Sequence, residues 1–288
     1  NTMPVPDFAH EKLMKFFHIY SIIGGMPEIV QKYSEKQDIL ALNNLFDGLI
    51  VSYLDDVEKY ARNHSMAQVI RYAISNAFYE AGSRIKFQGF GNSNYKSREM
   101  GEALKLLEKA MLIYLLYPSS SVEPPLLPNI KKSPRLQVLD TGMLNYFAGF
   151  QKDLFGTKNI DSVYQGRIAE HIVGQELLTY DTSPLYKLHF WSRDKKQSSA
   201  EIDFLIQFKN LIIPIEVKTG ATGRLRSLYQ FIDRTSHDYA VRIYSGKLEV
   251  NLIKTLNGKN FILLNLPFYL AGCIIEYLDW LMSNHRNL

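Results

Sequence analysis

The sequence predicts a chain of mixed α/β class, of the α+β kind, in which a helical N-terminal region is followed by a mixed-sheet domain. Three observations predict it. Apolar residues recur at helical spacing from position 6 to position 111. Five prolines then crowd the stretch from Pro118 to Pro134, a run that reads as a break in organisation. From Gly166 onward the pattern becomes helix, three strands and a second helix. At 288 residues, against roughly 150 per domain, the chain should hold about two domains with separate cores.

Residues 6 to 62 read as helical, with apolar clusters such as Phe16, Phe17 and Ile19. They are broken at Gly24-Gly25-Met26-Pro27, where a glycine pair followed by proline makes a helix-to-helix turn. Met66 to Tyr79 places Val69, Ile70, Ala73, Ile74 and Ala77 on one face and predicts a core helix. After a glycine-rich loop at Gly89 and Gly91, Ser97 is expected to cap a helix with the buried stripe Met100, Leu104, Leu107 and Met111. An apolar strand, Leu112 to Tyr117, follows. Helix, loop, basic-fronted helix and strand is the order of a winged helix-turn-helix, whose second helix enters the major groove. Lys96, Arg98 and Lys105 would then face nucleic acid. The plainer alternative is a packing module whose basic residues are merely solvated.

The proline-rich stretch is expected to be a linker and the main domain boundary. The resulting division is 1–62 helical, 63–120 winged-helix-like, 121–160 linker and connecting segment, and 161–288 mixed-sheet domain. Inside the third segment, Arg135 to Leu139 reads as a strand, and Asp140-Thr141-Gly142 as a turn into a helix. Beyond Gly166 the expected elements are a helix from Arg167 to Thr179, strands at Lys187 to Ser192, Glu201 to Phe208 and Leu211 to Lys218, and a helix from Arg224 to Ile232.

Composition sets outer limits. Hydrophobic residues make up 46% and charged residues 22%, ordinary for a packed protein and unlike a disordered one. A net charge of +4 permits a polyanionic partner without specifying one. The single cysteine, Cys273, excludes an intramolecular disulfide and suits a reducing compartment, and no Cys/His set has zinc-site spacing. The apolar run Phe261 to Ile275 is shorter than the ~20 residues of a bilayer span and is interrupted by Asn265 and Pro267. It reads as a buried strand entering a helix, so no membrane partner is expected. The chain opens at Asn1 with no basic-then-apolar leader, which points to a cytoplasmic location and to a piece of a longer polypeptide.

The chemistry concentrates on two adjacent strands. Side chains alternate faces along a strand, so in Glu201-Ile202-Asp203-Phe204-Leu205-Ile206 the residues Ile202, Phe204 and Ile206 share one face and Glu201 and Asp203 the other. In Leu211 to Lys218, the residues Leu211, Ile213, Ile215 and Val217 form one face, leaving Glu216 and Lys218 opposite. Carboxylates are the hard oxygen ligands that Mg²⁺ or Mn²⁺ requires, and such a metal polarises phosphate and acidifies bound water. Asp203 and Glu216 suit that role. Lys218, roughly 6.6 Å further along the same strand face, would orient water or stabilise charge on a phosphate. The plainer alternative is a solvated sheet face on which Lys218 simply pairs with Glu216.

Asp203 followed by Glu216-Val217-Lys218 resembles the D-x(n)-E-x-K core of the PD-(D/E)xK restriction-endonuclease-like superfamily, although Ile202 stands where that pattern has proline. The resemblance implies a glutamate on the preceding helix as a further site member. Glu170, in Gly166-Arg167-Ile168-Ala169-Glu170, matches it, with Glu176 as the other candidate. More widely, Gly24-Gly25-Met26-Pro27, Asp140-Thr141-Gly142, the Glu170 helix, Phe190-Trp191-Ser192-Arg193, Ala200 to Phe204 and Glu216-Val217-Lys218 together resemble the C-terminal part of a prokaryotic AAA+-type ATPase family. That resemblance implies a lid-like helical start, a winged helix, a nuclease-like domain and an ATPase module of the same polypeptide as partner. The chain has no phosphate-binding loop of its own. Gly91-Asn92-Ser93-Asn94-Tyr95-Lys96-Ser97 carries Tyr95 where the second glycine belongs, so the nucleotide site is expected upstream.

Arg193, Lys195, Lys196, Arg224 and Arg226 could line a phosphate track beside the acids or form an ordinary solvated charge run. His171 and Trp191 read as packing residues. Two functions follow as expectations: Mg²⁺- or Mn²⁺-dependent cleavage of nucleic acid, or a catalytically silent module that binds DNA or protein and regulates the ATPase.

Overall fold

The computed structural model describes residues 5–151, 163–181, 183, 186–193, 200–220 and 225–284. The protein is mixed α/β, with a mixed seven-stranded sheet after an N-terminal helical region. Two compact units share the chain. One comprises His18–Leu116 and Ser133–Lys158, the other Asn1–Phe17, Tyr117–Lys132 and Asn159–Leu288. The units are therefore interleaved along the sequence, unlike the four consecutive segments that composition suggests.

The first, helical unit receives the end of α1 (Asp7–Ile23) and continues through α2 (Pro27–Lys36), α3 (Asn43–Tyr60), α4 (His64–Glu80) and α5 (Ser97–Lys109). Pro27 occupies the first turn of α2, where its missing N–H costs nothing. Asn63 caps α4 by accepting the Met66 N–H at 2.9 Å. Val69, Ile70, Ala73, Ile74 and Ala77 are buried, as their spacing predicts. Ser97 is the first residue of α5 rather than its cap; the turn is closed by Glu99, which accepts the Lys96 N–H at 3.0 Å. Met111 is 61% exposed, not part of the buried stripe, because α5 ends at Lys109 and Met111 turns away with φ of 57°. Strand β1 (Ile113–Leu116) pairs antiparallel with β3 (Arg135–Val138), and α6 (Thr141–Phe147) follows.

The Gly24 turn and the Asp140 turn meet in this unit. Asp140 is 3% exposed. Its carboxylate accepts the Gly25 N–H at 2.7 Å and caps α6 through the Met143 N–H at 3.0 Å. Burial pushes this carboxyl up from its ordinary range, against the pull of the backbone N–H groups. Asn145 donates to Ser21 O at 2.7 Å, satisfying a carbonyl that the end of α1 leaves open.

In the second, sheet unit the strand order is β2 (Pro118–Ser119), β4 (His189–Ser192), β5 (Glu201–Phe208), β6 (Leu211–Lys218), β7 (Tyr239–Tyr244), β9 (Asn260–Pro267), β8 (Glu249–Lys254). Strands β6, β7 and β9 are mutually parallel, β4, β5 and β6 alternate, and β8 runs antiparallel to β9. The stretch expected to be a linker thus supplies an edge strand, where proline is tolerated because no outward N–H is needed. Glu123 fastens it by accepting the Ser236 N–H at 2.5 Å and the Thr235 hydroxyl at 3.1 Å. Helix α7 (Val163–Leu178) packs on β6, and α8 (Arg226–Ile232) packs on β5, β6 and β7. Leu228, Phe231 and Ile232 of α8 join Trp191, Leu205, Ile212, Ala240, Phe261 and Leu263 in one core. Trp191 is fully buried and meets Phe231 edge-on at 5.6 Å, as a packing residue should. The run Phe261 to Ile275 is the buried strand β9 followed by a tight turn at Phe268–Cys273 and α9 (Ile274–Asn284).

Candidate active site

The paired strands β5 and β6 part at the position where their acids lie. Their ladder runs from Phe208 and Leu211 to Phe204 and Ile215 and ends there. Beyond it, Glu201 and Ile202 pair only with β4, while Glu216 to Lys218 pair only with β7. Asp203 fills the fork: its carboxylate accepts the Val217 N–H at 2.8 Å, where a neighbouring strand's carbonyl would otherwise be. One step past the Phe204–Ile215 pair, Asp203 and Glu216 project to the same side of the sheet.

Glu216 is 6% exposed. Ile212, further along the same face, packs in the core with Leu228, Phe231 and Ile232 of α8, and Glu216 itself is buried, so it does not stand on the solvated face that alternation alone allows. A buried carboxylate needs compensation. Lys218 supplies it, its Nζ lying 2.5 Å from Glu216 Oε1, with the lysine side chain 30% exposed. Burial by itself would lower the Lys218 pKa, but the Glu216, Asp203 and Glu170 carboxylates outweigh it and the value is raised. The four residues singled out in the sequence therefore share one electrostatic site.

The two helix candidates separate. Glu170 contributes to the field at Lys218. Glu176 faces the turn after β9: a Cβ on Gly272 would lie 3.0 Å from its Oε2, and its charge helps to raise the Cys273 thiol pKa after burial and Glu276. Glu201 opens β5 opposite Ser192. Among the described residues no group of three or more His, Cys, Asp or Glu side chains is arranged to hold a metal ion.

A polar row crosses the sheet from this fork. Glu216 is the register partner of Arg242, Arg242 of Asn265, and Asn265 of Glu249. Arg242 was not recoverable from local sequence, because only the parallel pairing of β6 with β7 brings it beside Glu216.

Of the basic residues read as nucleic-acid contacts, Lys96, Arg98 and Lys105 are all exposed on or beside α5. Arg98 and Lys105, two turns apart, share a face. Glu102 sits between them and pairs with Arg62. Arg226 is exposed at the start of α8. Arg193 donates to Gln230 Oε1 at 2.9 Å. Arg224, Lys195 and Lys196 lie outside the described residues. Among the described residues no helix is long and apolar enough to cross a membrane.

No curated protein matches the chain. Two family models do match parts of it. Residues 14–154 match a domain of unknown function (DUF8612) and residues 165–269 match a domain of unknown function (DUF4143). The latter is an ATPase-associated C-terminal domain family, so the stretch that carries the fork is similar to an ATPase-associated region.

Proposed function

We propose that the sheet unit is a metal-dependent phosphodiesterase of the PD-(D/E)xK nuclease kind, acting on nucleic acid as the C-terminal part of an ATPase. The observation that carries this reading is the fork, where Asp203 and Glu216 share a side of diverging strands and Lys218 lies in the field of both and of Glu170. The donors suit Mg²⁺ or Mn²⁺: they are carboxylate oxygens, and Mg²⁺ commonly takes one or two of these with waters and substrate phosphate completing its shell. Asp203 and Glu216 would hold the ion, and Glu170, the further ligand the resemblance implies, adds its negative charge to the site. When bound, such a metal polarises the phosphate and lowers the pKa of its water. Lys218, fully protonated near neutral pH, places a positive charge where negative charge builds on the phosphate.

The helical unit supports a nucleic-acid partner through α4, the loop, α5 and the β1–β3 pair, an order that fits a winged helix presenting Lys96, Arg98 and Lys105. One observation favours the second reading, a silent regulatory module: the closed Glu216–Lys218 pair neutralises the site internally. The deciding experiment is hydrolysis of DNA and RNA in Mn²⁺ by wild type and Asp203→Ala. Cleavage by wild type alone supports the nuclease. Equal activity in both, or none in wild type, sinks it.

A further inference from the structure

His189 opens β4 with its side chain 7% exposed. Its Nδ1 lies 3.1 Å from Tyr117 O, and a carbonyl only accepts, so Nδ1 carries the proton and Nε2 keeps a lone pair. Burial holds the ring's pKa below its ordinary value, opposed by the Tyr117 carbonyl and helped by the Lys187 charge, so the ring is neutral near pH 7. No described residue bonds Nε2, and it is not sealed in the core. His189 lines a cavity of about 440 Å³, within the size range of small-molecule sites, and Nε2 is the polar atom it has left to offer there. Tyr180 and Tyr186 stand edge-to-face in the wall at 5.5 Å. Their hydroxyls are engaged elsewhere, Tyr186 donating to Leu177 O at 3.2 Å and Tyr180 to Gln207 O at 3.4 Å, so they give the cavity ring surface rather than donors. Leu126 and Pro128 add apolar wall. The charges at the rim, on Asp181 and Lys187, are of opposite sign, and Lys209 is paired with Asp279 at 2.6 Å, so the cavity favours a neutral ligand. It is separate from the fork. Gln207 lies four residues beyond Asp203 on β5, roughly 13 Å, and Leu205 between them is in the core.

We propose that this cavity binds a neutral planar heterocycle with a ring N–H, of the nucleobase or nucleoside class, its π face against Tyr180 and Tyr186 and its N–H donating to His189 Nε2. The aromatic pair selects a flat ring, because offset and edge-to-face contacts between π systems are favourable beyond the area they bury. A lone acceptor at the base selects a donor, because a ligand without one would leave Nε2 desolvated and unpaired. The site does not rest on the nuclease reading, since none of its residues belongs to the fork.

The test is calorimetric titration of the full chain near neutral pH with uridine and inosine, each beside its counterpart methylated at the ring N–H, for wild type, His189→Gln and His189→Asn. Wild type should bind at least one of the two nucleosides saturably, and its methylated counterpart about tenfold more weakly, the loss of one hydrogen bond with the acceptor left unpaired. A glutamine amide reaches the place of Nε2 and an asparagine amide that of Nδ1. His189→Gln should therefore keep most of the affinity, whereas His189→Asn, which retains a donor for Tyr117 O, should lose about tenfold. Should either variant not fold, the methylated probe reads the same contact on the wild-type chain. A wild type that binds neither nucleoside overturns the proposal, as do equal affinities for a nucleoside and its methylated counterpart, or a His189→Asn variant that binds like wild type. Cleavage of nucleic acid in Mn²⁺, read separately, bears only on the fork. Nucleoside binding without cleavage removes the nuclease reading alone, and cleavage without nucleoside binding removes this one alone.

Discussion

Asp203 and Val217 are joined across the parting strands by a side-chain to backbone hydrogen bond of 2.8 Å, so the acid that would hold a metal also terminates the β5–β6 ladder. The two roles separate by substitution. Asp203→Asn retains an acceptor for Val217 and should keep the fold while losing stabilisation by Mg²⁺ or Mn²⁺, whereas Asp203→Ala should in addition lose about 1 kcal/mol. Thermal melts with and without each ion read both effects. A wild type whose melting temperature ignores both ions would remove the metal site.

Lys218 is expected to matter for folding as well. Lys218→Met strands the buried Glu216 carboxylate and should cost about 1–3 kcal/mol, less than a fully buried pair because Lys218 reaches solvent. Adding Glu216→Gln should return much of it. Urea denaturation of the single and double variants measures the coupling, and a double variant no more stable than the single would show that the pair is not what holds Glu216.

The turn at Gly24 admits no side chain. Its φ is 76°, and a Cβ there would lie 2.1 Å from Asp140 Oδ1. Gly24→Ala should therefore destabilise the helical unit by more than about 2 kcal/mol, combining left-handed strain with a displaced buried carboxylate. A melting temperature unchanged from wild type would show that the turn yields freely.

His237 gives the sheet unit an acid sensitivity. Its Nε2 bonds Ile212 O at 2.8 Å and its Nδ1 accepts the Tyr239 N–H at 3.1 Å, which together fix the neutral ring. Burial holds its pKa below 6.5, against the opposing pull of the Ile212 carbonyl and Glu123. The unfolded chain then takes up a proton first, so stability is complete above about pH 6.5 and declines as pH falls from there toward the folded value. Urea midpoints between pH 7.5 and 5.5 should fall in wild type and fall less in His237→Gln. Parallel declines in the two would assign the effect to other groups.

If α5 lies on nucleic acid, neutralising Lys96, Arg98 and Lys105 together should weaken duplex binding and flatten its salt dependence, each lost contact removing about 0.9 from the slope. Glu102 between Arg98 and Lys105 works against such a contact. An unchanged slope would leave α5 as a packing helix.

Much of this arrangement was readable from residue order. Alternation within Glu201 to Phe208 and Leu211 to Lys218 located both strands and put Asp203 and Glu216 on one side, because a period of two fixes facing regardless of neighbours. The burial of that side is not legible in the alternation: Glu216 is buried rather than solvated. Nothing in the local sequence marks strands β7 and β8, and Arg242 gains its place beside Glu216 only from a parallel pairing across an intervening helix. The proline-rich stretch differs from the linker its composition suggests for a related reason. Pro118 and Ser119 are an edge strand through their pairing with Phe190 and Trp191 far along the chain, and local composition carries no trace of that partner.

The shared ownership of the chain imposes an order on synthesis. His10 meets Tyr269 across a separation of 259 residues, and Thr235 reaches back 113 residues to Val122. At roughly 5 to 20 residues per second on the ribosome, the early segment of the sheet unit waits some tens of seconds for its partners. The residues of the helical unit end at Lys158, so all of them are synthesised before most of the sheet unit's strands. Any cut that treats the proline stretch as a hinge would leave the sheet without its first strand, and the surviving edge at Phe190 and Trp191 would be open to pairing with a stranger.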